Sequence, residues 1–181
     1  MENKFSAAVS LGYASLFITL WLRYMSYAGW IANESVSDIV PIIMILGVVL
    51  AISGIFSFYN ADKIDPVLFL IVSAYTLSVA LRFMIYPNLS ANLNPAITDG
   101  WIHILGAVVV FYLWFGSMGD KILRQLFLLG LWLAELGAAL SNWTAANFFT
   151  VISGYIGLIS AVFAALYFFS TIERKKESMT S

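Results

Sequence analysis

Four ionisable residues lie within or at the edge of long apolar stretches, and they are the residues of this chain best suited to chemistry. Glu135 stands inside the apolar run WLAELGAAL, and Arg23, Arg82 and His103 lie in or beside three further apolar runs. An ionisable group in such a run is costly unless it faces protein or water, so we expect these side chains to meet in one polar pocket. There Glu135 would pair with Arg23 or Arg82, and the remaining cation would attract small anions through its field. Glu135 or His103 is the candidate carrier of a proton.

Other kinds of chemistry have little support in the sequence. The chain has no cysteine, which excludes disulfides, thiolate metal sites and cysteine nucleophiles. It has one histidine and lacks the HExxH, GxSxG and glycine-rich phosphate-loop motifs of common hydrolases and nucleotide-binding proteins. A formal net charge of -1 without a basic stripe argues against nucleic-acid binding. We therefore predict a protein that is not an enzyme and that uses no metal or cofactor.

The composition places the four ionisable residues in a membrane. The chain is 61% hydrophobic and 10% charged, whereas about a quarter of the residues in a soluble domain are charged. Crossing the hydrocarbon of a bilayer takes roughly 20 mainly apolar residues. Six stretches qualify, at about 6–29, 39–59, 66–86, 101–118, 122–141 and 147–171. The sequence predicts an all-α integral membrane protein, with six transmembrane helices in one domain over residues 1–181 and with short tails.

The basic residues predict how this domain lies in the membrane. Lysine and arginine are enriched in the cytoplasmic loops of membrane proteins. With six spans, one side of the membrane carries all the loop and tail cations, which are Lys4, Lys63, Lys121, Arg124 and residues 174–176. The opposite loops carry Glu34, Asp38 and Asp99 without a lysine or arginine. We predict that both termini are cytoplasmic, which puts the four ionisable residues of the spans in an outer vestibule.

Spans two and five contain similar segments. LGVVLAISG at 46–54 and LGLWLAELG at 129–137 agree at five of nine positions, including both glycines. Because these spans cross in opposite directions, the similarity indicates a possible inverted three-plus-three repeat, a plan in which transport paths lie at the repeat interface. Leu, Gly and Ala are frequent in membrane helices, so chance similarity is the alternative.

A purely structural role is the alternative interpretation of the four ionisable residues. Arg23 and Arg82 can each reach the headgroup layer along their apolar stems. His103 can be an ordinary interfacial residue, and Glu135 can be satisfied within a helix bundle. The two interpretations differ in whether these side chains contact one another.

Several short motifs, most of them in the last third of the chain, form a recognisable set. They are FGS at 115–117 with Leu123 and Gln125, Asn142, GYIGLISA at 154–161, Glu173, and Gly54 in span two. Together with six spans and short tails, this set resembles the acetate–succinate transporter family. The resemblance implies a multi-pass protein of the plasma membrane that takes up acetate, assembled as a homo-hexamer with one path per subunit.

The resemblance is weaker at the start of the chain. The family begins span one with Asn-Pro-Ala-Pro-Leu-Gly-Leu, where this chain reads AAVSLGY at 7–13. Two further family positions in span two, a glutamine and a glutamate, are Leu50 and Ser57 here. The family has no acidic residue at the position of Glu135. The chain is therefore similar to a divergent member.

A transport path follows from the resemblance. The Phe, Tyr and Leu constriction of the family falls on Leu16, Tyr75 and Leu131. A small carboxylate, or its acid, would pass this dry constriction with hydrogen bonds from Thr19 and Asn142. Because a bare anion is very unfavourable in low dielectric, fixed dipoles or a co-transported proton must compensate its charge. Ordinary helix packing is the alternative explanation of the three constriction residues.

The function expected from these observations is a membrane channel or proton symporter for small monocarboxylates such as acetate, with succinate as a further candidate. A channel for a small neutral solute such as urea or ammonia is an alternative, because a dry path with few charges also suits such a solute. A membrane scaffold without a transport path is a third.

Overall fold

The chain folds into six α-helices. The computed structural model describes residues 6–31, 36–59, 62–85 and 95–180, with side chains described except at 6, 36–37, 82–83, 85, 95–96 and 171–180. The helices are α1 (Ser6–Tyr27), α2 (Val36–Ser57), α3 (Ile64–Ile85), α4 (Pro95–Gly116), α5 (Ile122–Thr144) and α6 (Asn147–Thr180). These described ranges contain no strand. The predicted all-α fold class is confirmed.

Five helices, α2 to α6, are long and apolar enough over their described residues to cross a membrane. The first helix is not in this group, and its sequence includes Ser10, Ser15, Thr19 and Arg23 among the apolar residues. The chain is thus a multi-pass helical membrane protein. A membrane span for α1, the limits of the six spans and the single-domain organisation stay predictions.

Two helices extend well beyond one end of the predicted spans. The fourth begins at Pro95 instead of about 101, because proline at the first helical position has a suitable φ and needs no hydrogen bond from its nitrogen. The sixth continues to Thr180 instead of ending near 171, since its charged end is rich in Glu, Arg and Lys, which are good helix formers. A tight link with Gly119 at φ 101° joins α4 to α5.

The helices form a ring with one loose seam. Each packs along its length against the next in the order α3, α2, α1, α6, α5 and α4. The two ends of this order, α3 and α4, approach each other closely at only a few positions. We call this place the α3–α4 seam.

The similar segments of α2 and α5 make similar contacts. Ser73 of α3 donates a hydrogen bond to the carbonyl of Gly47 in α2, at 2.7 Å. Ser160 of α6 donates to the carbonyl of Phe127 in α5, at 2.8 Å, and lies 3.0 Å from where a Cβ of Gly130 would stand. Each glycine helix therefore packs closely against the helix that follows it, as small faces do in membranes. These contacts agree with an inverted repeat, which itself stays a prediction.

Two glycines of α6 lie close to the last turns of α1 and the residue that follows it. A Cβ on Gly154 would lie 2.3 Å from the backbone nitrogen of Ala28. One on Gly157 would lie 2.2 Å from the ring of Tyr24. Glycine is required at both positions, and the contact fixes the place of Tyr24 on α1.

Candidate functional site

Glu135 and Arg23 form an ion pair that joins α5 to α1. Arg23 Nη1 lies 2.7 Å from Glu135 Oε1, and Arg23 Nη2 donates to Oε2 at 3.0 Å. Both side chains are largely buried, with exposed fractions of 13% for Arg23 and 7% for Glu135. Two parallel N–H···O bonds make this the strong, bidentate form of the interaction.

His103 on α4 joins the pair from a third helix. Its Nδ1 lies 2.7 Å from Glu135 Oε2, and its Nε2 lies 3.2 Å from the hydroxyl of Tyr27. A neutral ring with its proton on Nδ1 donates to Glu135 and accepts from Tyr27. The same Nδ1 lies 3.1 Å from Nη2 of Arg23, so His103 contacts both members of the ion pair.

Two tyrosines complete the surroundings of the ion pair. The hydroxyl of Tyr24 donates to Glu135 Oε1 at 2.9 Å. The ring of Tyr75 on α3 lies with its centre 4.2 Å from Arg23 Cζ, within the range of a cation–π contact. The Glu135 cluster, comprising Arg23, Tyr24, Tyr27, Tyr75, His103 and Glu135, thus draws on four helices.

The guanidinium of Arg23 keeps one unused donor. Its buried Nε has no hydrogen-bond partner among the described residues. Leaving a buried donor unpaired costs about 1–3 kcal/mol. The Nε of Arg124 is likewise buried without a partner among the described residues, so the two arginines share this feature.

A small cavity adjoins the cluster at the α3–α4 seam. Its volume is about 40 Å³, which holds roughly two or three water molecules. Arg23 and Glu135 are its charged lining residues. Apolar side chains and one glycine form most of the remaining wall, including Leu20, Gly106, Val110 and Leu131. The cavity combines one guanidinium–carboxylate pair with an apolar surface.

A closed apolar layer lies next to the cavity, on the side away from Glu135. It consists of Leu16, Leu20, Phe127, Leu128 and Leu131, each with an exposed fraction of 1% or less. Leu20 and Leu131 also line the cavity. The structure thus puts two predicted constriction residues, Leu16 and Leu131, in one layer. The third, Tyr75, lies against Arg23, and the constriction role of all three stays a prediction.

The other predicted site residues lie apart from this cluster or outside the described side chains. Thr19 is 2% exposed, and its hydroxyl has no hydrogen-bond partner among the described residues. Asn142 donates to the carbonyl of Ala138 in its own helix at 2.9 Å. Arg82 belongs to α3, but its side chain lies outside the described residues. Three of the four predicted vestibule residues, Arg23, His103 and Glu135, are therefore in mutual contact.

A second ion cluster occupies the opposite end of the bundle. Arg124 of α5 is 4% exposed and binds three carboxylates. Its Nη1 donates to Asp62 at 2.6 Å and to Asp120 at 3.0 Å, and its Nη2 donates to Asp65 at 2.6 Å. Tyr13 of α1 donates to Asp65 at 2.6 Å. We call these five residues the Arg124 cluster.

The sequence reasoning assigned Arg124 to the basic side of the membrane and did not predict this cluster. A usable signal was present, because the links next to Arg124 carry Asp62, Asp65 and Asp120 at the same predicted end. Three acids beside one arginine at a helix end indicate pairing more than a charge that faces lipid headgroups.

The pKa of Asp62 gives the Arg124 cluster a dependence on pH. Burial acts to raise this pKa, but hydrogen bonds from Arg124 and the Ile64 amide hold it below its usual value. A carboxyl with a lowered pKa in the folded protein stabilises it above the unfolded pKa, and this contribution is lost as pH falls through the folded pKa. We expect Asp62→Asn to lower the free energy of unfolding at pH 7 by less than about 1 kcal/mol, because the pair is partly exposed.

Unfolding of Asp62→Asn and the parent at several pH values tests this expectation. The difference in stability should be largest near neutral pH and should shrink below about pH 4, the ordinary range of Asp. A difference that grows on acidification would contradict the assigned role of Asp62.

A larger groove lies on the outer face of α4 and α5. It has a volume of about 310 Å³ and is lined by Ala107, Val108, Phe111, Tyr112, Trp132 and Leu136. None of these lining residues is charged. Because of its position and apolar wall, it is a surface that lipid or protein can cover, and the candidate site is the smaller cavity at Arg23.

The arrangement of helices is that of a known membrane channel. A solved structure described as the bacterial acetate channel SatP superposes with a TM-score of 0.81, covering 93% of each chain at 18% sequence identity. The sequence matches no family model and no curated protein. At this identity the similarity shows a common fold. The fold implied by the sequence resemblance is thereby confirmed.

Proposed function

We propose that this chain moves small monocarboxylates such as acetate across a membrane. The observation that carries the proposal is a buried guanidinium, paired with one carboxylate, at the wall of a small and otherwise apolar cavity. A monocarboxylate has the same two parts, an anionic head and a short apolar body. The fold shared with an acetate channel supports this assignment.

The cavity favours a monocarboxylate over a dicarboxylate. In this cavity the head of acetate would accept a hydrogen bond from the Arg23 guanidinium, while its methyl group would face Leu20, Val110 and Leu131. A dicarboxylate such as succinate would place its second charge against the same apolar side chains, where an unpaired charge is strongly disfavoured. We therefore infer that acetate is a better substrate than succinate.

A proton can balance the charge of the substrate. A carboxylate bound to Arg23 competes with Glu135 for the same guanidinium, so two anions face one cation unless a proton enters. His103 contacts Glu135 at one ring nitrogen and Tyr27 at the other, which provides a route for that proton. The proposed mechanism is proton-coupled uptake, with Glu135 as the group that receives the proton.

Flux measurements in proteoliposomes test the function. We expect labelled acetate to enter vesicles that contain the protein, and to enter faster at acidic than at neutral external pH. Succinate should enter more slowly. Flux of urea without flux of acetate would instead support a channel for a neutral solute, and a folded protein that moves neither would support a scaffold.

Gly106 offers a test of the cavity that leaves the charged groups in place. A Cβ at Gly106 would lie 3.7 Å from Glu135 Oε2, an ordinary contact, so Gly106→Ala should fold normally. The added methyl occupies part of a cavity of about 40 Å³. Since forced packing of one such group costs about 1–3 kcal/mol, we expect acetate flux to fall roughly tenfold or more.

Gly116→Ala is the matched control for this substitution. Both glycines lie in α4, and a Cβ at Gly116 would meet no atom within 4 Å. Its flux should equal that of the parent. Equal loss in both variants would contradict a path through the cavity.

The membrane setting and the assembly are part of the proposal. We place the chain in the plasma membrane with both termini in the cytoplasm, so that the Glu135 cluster faces outward and the Arg124 cluster inward. The family resemblance supports a homo-oligomer, with a hexamer as the expected state.

A further inference from the structure

The two ion clusters occupy equivalent places on the same helix faces. Arg124 and Glu135 are separated by roughly three turns of α5, about 16 Å, and Tyr13 and Tyr24 are separated by the same distance on α1. Each cluster contains one buried arginine, a buried carboxylate, and a tyrosine of α1 that donates to that carboxylate. The closed apolar layer of Leu16, Leu20, Phe127, Leu128 and Leu131 lies between them. Any path along this face must therefore pass one cluster, the layer and the other cluster.

The Arg124 cluster joins the α2–α3 and α4–α5 links to one side chain of α5. Asp62 belongs to the link between α2 and α3, Asp120 to the link between α4 and α5, and Asp65 to the first turn of α3. All three carboxylates hold one guanidinium. While these contacts persist, neither link can move away from α5.

The contacts of Arg124 divide into a buried and an accessible set. Asp65, at Nη2, has a side chain that is 7% exposed. Asp62 and Asp120, both at Nη1, are 36% and 43% exposed. The accessible pair can separate into water while Asp65 still neutralises Arg124, so opening at this edge leaves no unpaired buried charge. Among the described residues Arg23 has one acidic partner, so its cluster opens only when another anion or a proton replaces that contact.

We propose that the Arg124 cluster is a second gate, which closes the path at the end opposite the Glu135 cluster, and that Arg124 is its gating residue. The structure is then an occluded state, with a closed ion cluster at each end of a closed apolar layer. Transport proceeds by opening the two clusters in turn. This inference rests on the proposed path through the bundle, but it does not depend on which solute uses that path.

Cysteine reactivity tests the gate directly, because the natural chain has no cysteine. Leu128→Cys places a reporter in the layer one turn from Arg124, and Leu20→Cys places one at the cavity beside Arg23. Each is measured in lipid nanodiscs with iodoacetamide, a neutral probe that does not require recognition of a carboxylate. The alkylation rate of each reporter is measured with and without the double substitution Asp62→Asn and Asp120→Asn. This double substitution weakens the accessible contacts of Arg124 and keeps its contact with Asp65.

The proposed gate predicts that the alkylation rate changes at one reporter and not at the other. Loss of two partly exposed ion pairs should raise the rate of alkylation at Leu128→Cys about tenfold. The rate at Leu20→Cys should stay unchanged. Asp38→Asn, which removes an exposed carboxylate at the opposite end, should change neither reporter. If the double substitution prevents folding, Asp120→Asn alone serves as the test, with a smaller increase at Leu128→Cys.

Two results would overturn the gate. One is fast alkylation of Leu128→Cys in the otherwise unchanged chain, which would mean that the layer is already open at this end. The other is an unchanged rate in folded variants that lack the accessible contacts. The expected reactivity without acetate flux would refute the proposed substrate and keep the gate, whereas acetate flux with unchanged reactivity would refute the gate alone.

Discussion

Glu135→Gln should strongly destabilise the protein. The substitution removes the anionic partner of Arg23 and leaves a largely buried guanidinium without a counter-charge. Breaking a buried ion pair from one side costs about 3–5 kcal/mol. For a chain of this length we expect the midpoint of thermal unfolding in detergent to fall by about 10 °C. Circular dichroism at the helix band measures it.

A double substitution distinguishes the ion pair from a local packing effect. Arg23→Gln combined with Glu135→Gln removes both charges, so it should recover part of the lost stability. Asp38→Asn, an exposed carboxylate at the start of α2, should change the midpoint little. A Glu135→Gln variant as stable as the parent would show that Arg23 does not depend on this carboxylate.

The second large effect is expected at the contact between α1 and α6. Gly154→Ala would place a methyl 2.3 Å from the backbone nitrogen of Ala28, which cannot turn aside as a side chain can. The helices must separate, and overpacking of this kind costs about 1–3 kcal/mol. Because α1 also carries Tyr24 and Arg23, their contacts with Glu135 should loosen as well. We expect a lower unfolding midpoint together with reduced acetate flux.

Gly116→Ala is again the control, since it adds the same methyl in open space. Its midpoint should equal or slightly exceed that of the parent, because alanine favours helix over glycine. Gly157→Ala, which meets the ring of Tyr24 at 2.2 Å, should resemble Gly154→Ala. Equal stability of all three variants would contradict the close α1–α6 contact.

Much of the fold follows from composition and spacing alone. Six apolar stretches with polar links predict six helices, because every backbone group must be satisfied within its own segment in lipid. The helix ends were predicted less well. Pro95 and the charged end of α6 were assigned to polar segments, since hydropathy measures solvent preference and not helix propensity.

Part of the candidate site can also be predicted from the sequence, but from the chemistry of single residues and not from composition and spacing. Placing Glu135, Arg23 or His103 in hydrocarbon costs free energy, so the sequence alone predicts that these side chains meet one another. Arg124 was not singled out because a cation near a helix end has an ordinary explanation at the headgroups. Its three carboxylate partners come from two links and the first turn of α3, and only the folded chain brings them to one guanidinium.

The α3–α4 seam is the part of the ring where neighbouring helices have few contacts, and α1 and α6, which pack closely, lie opposite it. There, Gly154 of α6 lies against the backbone at the end of α1, so these two helices are held together more closely than α3 and α4. A slight splaying about the α1–α6 contact would spread Tyr75 of α3 from His103 of α4, whose rings now stand 5.7 Å apart beside Arg23. We therefore expect any widening of the cavity beside Arg23 to begin between α3 and α4.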